Sequence, residues 1–361
     1  MIGYIIYSHS NLEKLINKIM NKLQKISLVI TSINKPDSVL KKYYSMCEKL
    51  GIEFIIIGDK KTPKYPKKYN IYDIKSQKVF NFNLNKSLPL NSYSRKNIGY
   101  LIAMKNKSQI ITETDDDNYP KKSFFDNMEL KKSLTLLSGS KWINIYKIFS
   151  KNSNEMIWPR GFPLDEITRT SKIILKKNII TSPIQQRMCD GNPDVDAIFK
   201  LTRENKFYSF KKKNYALDNK SICPFNSQNT VWHKECFPLM YLPSYCTMRA
   251  TDIWRGFVAL RILKNYNWNL SFLESTVIQN RNVHDLLDDF NLEYPVYKNT
   301  KIFNDTLRRI KLSNKRDDML INFFKCYKEL TKNKLIEKNE LDLVSKWIID
   351  ISKIYPKYKK I

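Results

Sequence analysis

ISLVITSINKPDSVLKKYYSMCEKLGIEFIIIGD, residues 26–59, contains the pattern that decides the fold. Its first apolar run starts at Ile26 and its second covers Phe54 to Ile57, and both are typical of buried β-strands. The segment between them has helical spacing from Val39 to Leu50, and Gly51 follows as a helix C-cap would. Two apolar strands joined by a helix predict an α/β protein with a parallel sheet.

Polar side chains follow each of these strands. Thr31 comes directly after the first apolar run, and Asp59 comes after the second. In a doubly wound sheet, ligands bind in the crevice outside the carboxyl ends of the strands. We therefore expect Thr31 and Asp59 to lie at a binding site.

A third apolar run, QIITETDDDNYP at residues 109–120, ends in three consecutive aspartates. Carboxylates held together repel each other, and the pKa of at least one rises unless a cation neutralises them. Hard oxygen ligands of this kind favour Mg²⁺ or Mn²⁺ over zinc. Asp115 and Asp117 are therefore the predicted metal ligands, with Asp116 between them, and the ion would bridge the phosphates of a nucleotide diphosphate.

Composition indicates a globular protein of one large domain with an appendage, or of two domains. The chain has 361 residues, of which 42% are hydrophobic and 12% aromatic. Its net charge of +28 favours nucleotides, nucleic acid or an anionic membrane as partners without choosing among them. The six cysteines lack the spacing of a zinc or redox motif, so we expect reduced thiols and a cytoplasmic location.

Three regions are predicted along the chain. Residues 1–25 include the lysine-rich amphipathic stretch NLEKLINKIMNKLQK, which is either a surface helix packed on the protein or a helix lying on a membrane. Residues 26–295 form the α/β domain, and residues 296–361 form a helical appendage with a lysine-rich tail. The opening MIGYIIYSH is too short for a membrane span and lacks the features of a secretory signal.

Other side chains are weaker candidates for ligand contacts. Arg95 and Asn97 begin the helix before the aspartate triplet, where they could reach phosphate or sugar hydroxyls. Trp158 and Arg160 could line an acceptor pocket, because aromatic faces stack on sugars and arginine pairs with anions, although a core tryptophan is the alternative. His284 is the candidate for a third metal ligand.

Five dispersed motifs carry a family resemblance. They are SYSRKNIGYLIAMKNKSQIITETDDD (92–117), WPRGFPL (158–164), DVDAIFKLT (194–202), PFNSQNTVW (224–232) and TDIWRGFVA (251–259). In this order they resemble the STELLO-type glycosyltransferase-like family, from Ile26 to about Leu263, with the first 25 and last hundred residues outside the resemblance. The resemblance implies a GT-A fold, which is a Rossmann-like, mostly parallel sheet flanked by helices, here with a helical C-terminal appendage.

The resemblance also implies an activity and roles for individual residues. It implies metal-dependent transfer of a sugar from a nucleotide-diphosphate donor to a glycan, lipid or protein acceptor, with Asp115 and Asp117 as a DxD motif. The implied donor-binding residues are Thr31, Asp59, Arg95, Asn97 and Asp116.

Asp252, in TDIWRG, has two interpretations. The resemblance implies a catalytic base that takes the proton of the acceptor hydroxyl. The alternative is a helix N-cap, because Thr251 and Asp252 precede an apolar run.

Two other function classes agree less well with the sequence. A metal-dependent nucleotidyltransferase would need a glycine-rich phosphate loop early in the chain, and TSINKP at residues 31–36 is not one. A nucleic-acid-binding protein would cluster its basic residues with aromatics on one face, whereas these lysines are spread along the chain. Nucleic acid is therefore not an expected partner.

Deletion of residues 1–25 tests the peripheral membrane contact. If this basic amphipathic segment binds the membrane surface, the shortened protein will sediment less with anionic liposomes than the full chain. Neutral liposomes are the control. Equal sedimentation of both proteins would favour a helix packed on the domain.

Overall fold

The structure is a computed structural model that describes most of the chain. The described residues are 24–152, 154–169, 172–203, 206–280 and 285–359. The amphipathic stretch predicted within residues 1–25 lies almost wholly outside this part, and His284 lies outside it as well.

One large sheet forms the centre of the described structure. Its eleven strands within the described residues are β1 (Ile26–Thr31), β2 (Glu53–Ile57), β3 (Ile71–Tyr72), β4 (Ile110–Thr114), β5 (Asn118–Pro120), β6 (Lys131–Ser138), β7 (Ile174–Thr181), β8 (Ile184–Gly191), β9 (Tyr215–Leu217), β10 (Asn229–His233) and β11 (Leu270–Gln279). The strand order is β3-β2-β1-β4-β10-β8-β11-β9-β6-β7, and β5 pairs with β11 outside this path.

The helices cover the sheet and form the C-terminal region. Within the described residues they are α1 (Ser38–Leu50), α2 (Ile74–Val79), α3 (Lys96–Lys105), α4 (Ile145–Phe149), α5 (Ala197–Thr202), α6 (Thr251–Asn265), α7 (Leu286–Arg309), α8 (Met319–Lys332) and α9 (Glu340–Ile354). Short 3₁₀ turns occur at Leu84–Lys86, Tyr93–Arg95, Leu164–Glu166, Lys234–Leu239 and Arg316–Asp318. The predicted α/β class, with a central sheet, flanking helices and a helical C-terminal region, is confirmed.

The N-terminal strands have the predicted parallel arrangement. β1 pairs in parallel with β2 on one side and with β4 on the other. Their apolar side chains are buried on both faces, as is typical of parallel sheets covered by helices. Asp37 begins α1 by accepting a hydrogen bond from the backbone N–H of Leu40 at 3.0 Å. The carboxyl ends of β1, β2 and β4 therefore lie at one edge.

Beyond β4 the sheet is mixed rather than mostly parallel. β10 runs antiparallel to both β4 and β8, and its first residue, Asn229, pairs with Thr114 at the end of β4. β8 and β11 are parallel to each other, so Gly191 and Gln279 end side by side. Because of this reversal, the start of β10 and the ends of β1, β2, β4, β8 and β11 meet at the same edge.

The C-terminal helices pack directly on the sheet domain. The boundary predicted between residues 295 and 296 falls inside α7, which already begins at Leu286. Trp347 of α9 is fully buried against Tyr241, with ring centroids 5.7 Å apart. No described helix combines the length and apolar character that a membrane span requires.

Asp350 of α9 fixes this packing with a buried carboxylate. It accepts hydrogen bonds from the backbone N–H and side-chain amide of Asn83, at 2.9 and 2.7 Å, and from the backbone N–H of Leu84 at 2.9 Å. Since these groups are shielded from water, losing the acceptor leaves buried donors without a partner.

We expect Asp350→Ala to lower the free energy of unfolding by about 2–4 kcal/mol, because each unsatisfied buried donor costs about 1–3 kcal/mol. Urea denaturation monitored by tryptophan fluorescence measures the change. Asp342→Ala is the matched control, since the Asp342 side chain lies on the same helix and is 63% exposed. Equal effects of the two changes would contradict the structural role of Asp350.

Candidate functional site

A cavity of about 460 Å³ lies at the edge where the strand ends meet. Its volume is within the usual range for small-molecule sites, roughly 300–1,000 Å³. Ten of the candidate site residues lie in the described part of the chain, and eight of them line it: Thr31, Asp59, Arg95, Asp115, Asp116, Asp117, Arg160 and Asp252. Asn97 and Trp158 are not among the lining residues.

The three consecutive aspartates are held by different partners. Asp115 accepts a hydrogen bond from the Tyr93 hydroxyl at 2.8 Å. The Asp116 carboxylate accepts from Ser32 Oγ at 2.6 Å and from Asn34 Nδ2 at 3.0 Å. Burial raises the pKa of Asp116, while these two bonds oppose the rise.

Asp117 turns toward another part of the sheet. Its Oδ2 accepts a hydrogen bond from Gln279 Nε2 at 2.8 Å. Gln279 reaches this position because β5, directly after the triplet, pairs with the end of β11. The triplet therefore spreads over the cavity wall instead of forming one cluster.

Lys96 supplies a buried positive charge beside the triplet. Its fully buried Nζ lies 3.2 Å from Asp115 Oδ1 and donates to the carbonyl of Thr114 at 2.8 Å and to Tyr93 Oη at 2.9 Å. The sequence predicted a metal ion as the neutralising charge. The structure shows that Lys96 already neutralises part of the negative charge of the triplet.

Arg160, another lining residue, joins two acidic segments of the chain. Its Nη2 lies 2.8 Å from Asp194 Oδ2, and its Nη1 lies 3.0 Å from Asp252 Oδ1. Nη1 also donates to the backbone carbonyl of Arg249. Because the guanidinium is buried and engaged on all three nitrogens, Arg160 positions other residues and has little capacity left to bind an acceptor.

Asp252 is neither a helix cap nor a free carboxylate. Residue Ala250 occupies the N-cap of α6, and no side chain caps that end. Asp252 Oδ2 accepts from both the backbone N–H and the Oγ of Ser227, each at 3.1 Å, in addition to its bonds with Arg160. Burial favours the neutral acid, yet the charge of Arg160 outweighs it and lowers the pKa of Asp252. A carboxylate with this environment is a weak proton acceptor.

Tyr93 and Ser227 connect the two acidic halves of the cavity. Tyr93 Oη lies 2.6 Å from Ser227 Oγ, and Ser227 in turn contacts Asp252. A continuous series of hydrogen bonds therefore leads from Lys96 and Asp115 to Asp252 and Arg160.

Two glycines in the quoted motifs allow these contacts. Gly161 follows Arg160 with φ +85°, and a Cβ there would lie 2.7 Å from Ile253. A Cβ on Gly256 of α6 would lie 2.6 Å from the carbonyl oxygen of Phe225. Glycine is required at both positions because the backbone passes so close to its neighbours.

Asp59 and Arg95 form the wall at the end of β2. Asp59 Oδ2 accepts from the backbone N–H of Ser92 at 3.0 Å. Arg95 Nε donates to Gln77 at 3.1 Å, and Gln77 donates to the carbonyl of Gly58 at 2.7 Å. Arg95 was predicted to contact the nucleotide-sugar donor. In the structure its guanidinium mainly supports the Gly58–Asp59 turn through Gln77.

The predictions for Asn97 and Trp158 require correction. Asn97 is fully buried, and its amide exchanges two hydrogen bonds of 2.8 Å with the backbone of Leu242. Trp158 is a core residue that donates from Nε1 to Asp196 Oδ2 at 2.6 Å and packs edge-on against Phe199. Both polar groups are satisfied inside the protein, so neither is available to a ligand in the cavity.

The cavity is acidic although the chain is strongly basic. Its lining includes six aspartates and four basic side chains, a formal charge of −2. Among the described residues, no group of three or more His, Cys, Asp and Glu side chains forms a ready-made metal site. Magnesium usually takes one or two carboxylates and completes its shell with water and substrate phosphates. Asp115, whose side chain is 32% exposed, and Asp117 both line the cavity, and each could supply one such carboxylate.

Sequence reasoning missed several residues of this site. Tyr93 and Ser227 lie within quoted motifs, but a tyrosine or serine in a loop carries no periodic signal. Asp194 lies in the quoted motif DVDAIFKLT, and Asp196, two residues later, caps α5. Gln279 could not be identified from its own surroundings, because only the pairing of β5 with β11 brings it to Asp117.

The chain is similar to one protein family and to two plant proteins. The family described as STELLO glycosyltransferases matches residues 249–361. The probable glycosyltransferases STELLO1 and STELLO2 of Arabidopsis thaliana are 28% identical to the chain over 261 and 259 residues. These alignments cover 65% of this chain and 33% of each relative, so the chain spans about one third of their length.

The predicted resemblance to this family is confirmed, but its predicted limit near Leu263 is wrong. The family match includes the C-terminal helices that the sequence motifs left outside. Among solved structures, the crystal structure of a mycobacterial protein is similar with a TM-score of 0.45 and 9% identity, over 80% of this chain and 77% of that chain.

We expect Asp252→Asn to lower the free energy of unfolding at pH 7 by about 2–4 kcal/mol, since removing one partner of a buried ion pair is strongly destabilising. The folded-state pKa of Asp252 is lowered, so its contribution is complete above the unfolded pKa of about 3.9 and is lost as the pH falls through the folded value. The stability difference between wild type and variant should therefore shrink toward pH 2. Chemical denaturation at several pH values measures it, and a difference independent of pH would contradict the ion pair.

Proposed function

On the premise that the chain is related to the STELLO glycosyltransferases, we propose that it is a glycosyltransferase that moves a sugar from a nucleotide-diphosphate donor to a glycan, lipid or protein acceptor. The observation that carries the proposal is the acidic cavity at the carboxyl edge of the sheet, with Asp115 and Asp117 in its wall. This edge is where open α/β sheets bind their ligands.

Charge supports a metal-assisted donor site. A nucleotide diphosphate is anionic, and a lining with a formal charge of −2 would repel it. Asp115 and Asp117 would hold Mn²⁺ or Mg²⁺, which when bound neutralises the diphosphate and stabilises it as a leaving group. Lys61, which also lines the cavity and is exposed, can contact the phosphates from the rim.

The ends of β1 and β2 are the proposed nucleoside-binding surface. Thr31 and Asn34 line the cavity beside Asp116, and Asp59 faces it from the neighbouring strand. Asn34 and Asp116 are already bonded to each other, which fixes their orientation before a ligand arrives. A fixed polar surface binds a nucleoside with little loss of side-chain entropy.

Asp252 serves as a positioning residue in this proposal, not as the catalytic base. Its bonds with Arg160 and Ser227 hold the part of the cavity wall that is linked to Asp115 through Tyr93. Ser227 and Tyr93 then place a hydroxyl next to Asp115. This arrangement orients the Asp115 carboxylate toward the cavity.

We expect Asp117→Asn to remove the metal-dependent part of nucleotide binding. Calorimetry with UDP and GDP, each in Mn²⁺ and in chelator, measures it. Wild type should bind at least one of them more tightly in Mn²⁺ than in chelator. In Mn²⁺ the variant should bind that nucleotide about tenfold or more weakly than wild type, because a neutral amide is a poorer ligand for a hard cation.

Asp126→Asn is the matched control, since Asp126 is exposed and does not line the cavity. It should bind nucleotides as wild type does. If Asp117→Asn keeps the full Mn²⁺ effect, the assignment of the metal ligands fails. If wild type binds neither UDP nor GDP under either condition, a UDP-sugar or GDP-sugar donor is excluded.

A further inference from the structure

A second cavity, of about 420 Å³, lies between α6, α7 and the loop before the start of β10. It shares no lining residue with the cavity at the sheet edge. The two sites are nevertheless connected by α6, because Asp252 lies near the start of this helix and Lys264 near its end. Twelve residues of α-helix separate these positions by about 18 Å.

The lining of the second cavity combines an apolar floor with positive charge. The apolar lining residues are Ile222, Phe257, Leu260 and Leu307. The charged lining residues are Lys141, Lys220, Arg261, Lys264, Arg308 and Asp305. Five cations against one carboxylate give a formal charge of +4, opposite in sign to the first cavity.

Two of these cations are committed to the protein. Arg261 donates to the carbonyls of Leu307 and Ile310 at the end of α7, at 3.0 and 2.7 Å. Lys141 Nζ lies 3.0 Å from Asp305, which is the single lining carboxylate. Their charges are therefore used to hold α7 against the sheet domain.

The other three cations have fewer contacts with the protein. Within the described residues, the ammonium groups of Lys220 and Lys264 have no hydrogen-bond or ion-pair partner. Arg308 is 73% exposed, and its Nη2 lies 3.7 Å from Asp305 Oδ1. Lys264 is the deepest of them, and burial lowers its pKa to about 8. Burial disfavours the charged form of Lys264, and a bound anion would favour it.

We propose that this second cavity binds a phosphate monoester carried on an apolar group. The phosphate would pair with Lys264 and with Lys220 or Arg308 at the mouth, where lysine and arginine form charge-assisted hydrogen bonds to phosphate oxygens. The apolar group would lie on Phe257 and Leu260. The site stands on its own lining and does not depend on glycosyl transfer.

Calorimetry on the full chain at pH 7 tests the proposal with dodecyl phosphate below its micelle concentration. Inorganic phosphate and dodecyl maltoside test the two parts of the ligand separately. We expect saturable binding of dodecyl phosphate, at least about tenfold tighter than inorganic phosphate, because only it fills the apolar floor. Dodecyl maltoside should not bind.

Lys264→Gln should weaken dodecyl phosphate binding by about tenfold, which corresponds to loss of one charge-assisted hydrogen bond. Arg308→Gln, at the exposed mouth, is a second variant that leaves the interior unchanged. Lys332→Gln is the matched control, because Lys332 is 75% exposed on α8 and does not line the cavity. Equal binding by Lys264→Gln, Arg308→Gln and the control would overturn the proposal, as would equal affinity for inorganic and dodecyl phosphate.

Vesicles distinguish a lipid headgroup from a soluble phosphate ester. Phosphatidylcholine vesicles with and without phosphatidic acid are sedimented with wild type, Lys264→Gln and Lys332→Gln. Binding that requires phosphatidic acid and is lost only in Lys264→Gln identifies a lipid source. No vesicle binding, together with tight binding of dodecyl phosphate, identifies a soluble ester.

Discussion

The candidate site depends on the buried ion pairs that Arg160 forms with Asp194 and Asp252. The Arg160 guanidinium joins Asp194, after β8, to Asp252 at the start of α6, and it also binds the carbonyl of Arg249. Three segments far apart in sequence are thereby fixed around one cavity. A buried cation between two carboxylates is stable only while both partners are present. The geometry of this wall therefore depends on Asp194, Arg160 and Asp252 together, and the charge of Arg160 lowers the pKa of Asp252.

Helix α6 carries this constraint into the centre of the sheet. One turn after Asp252, Arg255 forms a buried ion pair with Glu113 of β4, at 2.8 Å. Glu113 also accepts a hydrogen bond from Trp232 of β10 at 2.7 Å. The same helix thus contacts the strand that delivers the aspartate triplet and the reversed strand beside it.

Charge is distributed very unevenly over this basic protein. The net charge of +28 would suggest a cationic binding surface, yet the cavity at the sheet edge has a formal charge of −2. Buried Lys96 offsets part of the repulsion within the triplet, and the separate partners of Asp115, Asp116 and Asp117 keep their carboxylates apart. The second cavity has the opposite sign. Composition alone therefore does not reveal which ligand each site attracts, because the local field is set by a few buried groups.

The sequence by itself determined the β1-α1-β2 unit, the end of β4 and the position of the triplet, because these features follow from apolar runs and helical spacing within short windows. Only the tertiary structure decided the reversal of β10, the burial of Asn97 and Trp158, and the pairing of Arg160 with Asp252, 92 residues away. A local pattern reports whether a side chain is buried or exposed on its own element. It does not report which distant group will satisfy that side chain's hydrogen bonds and charge. For Asp252 that group is Arg160, which lowers the pKa of the carboxyl and holds it in the cavity wall.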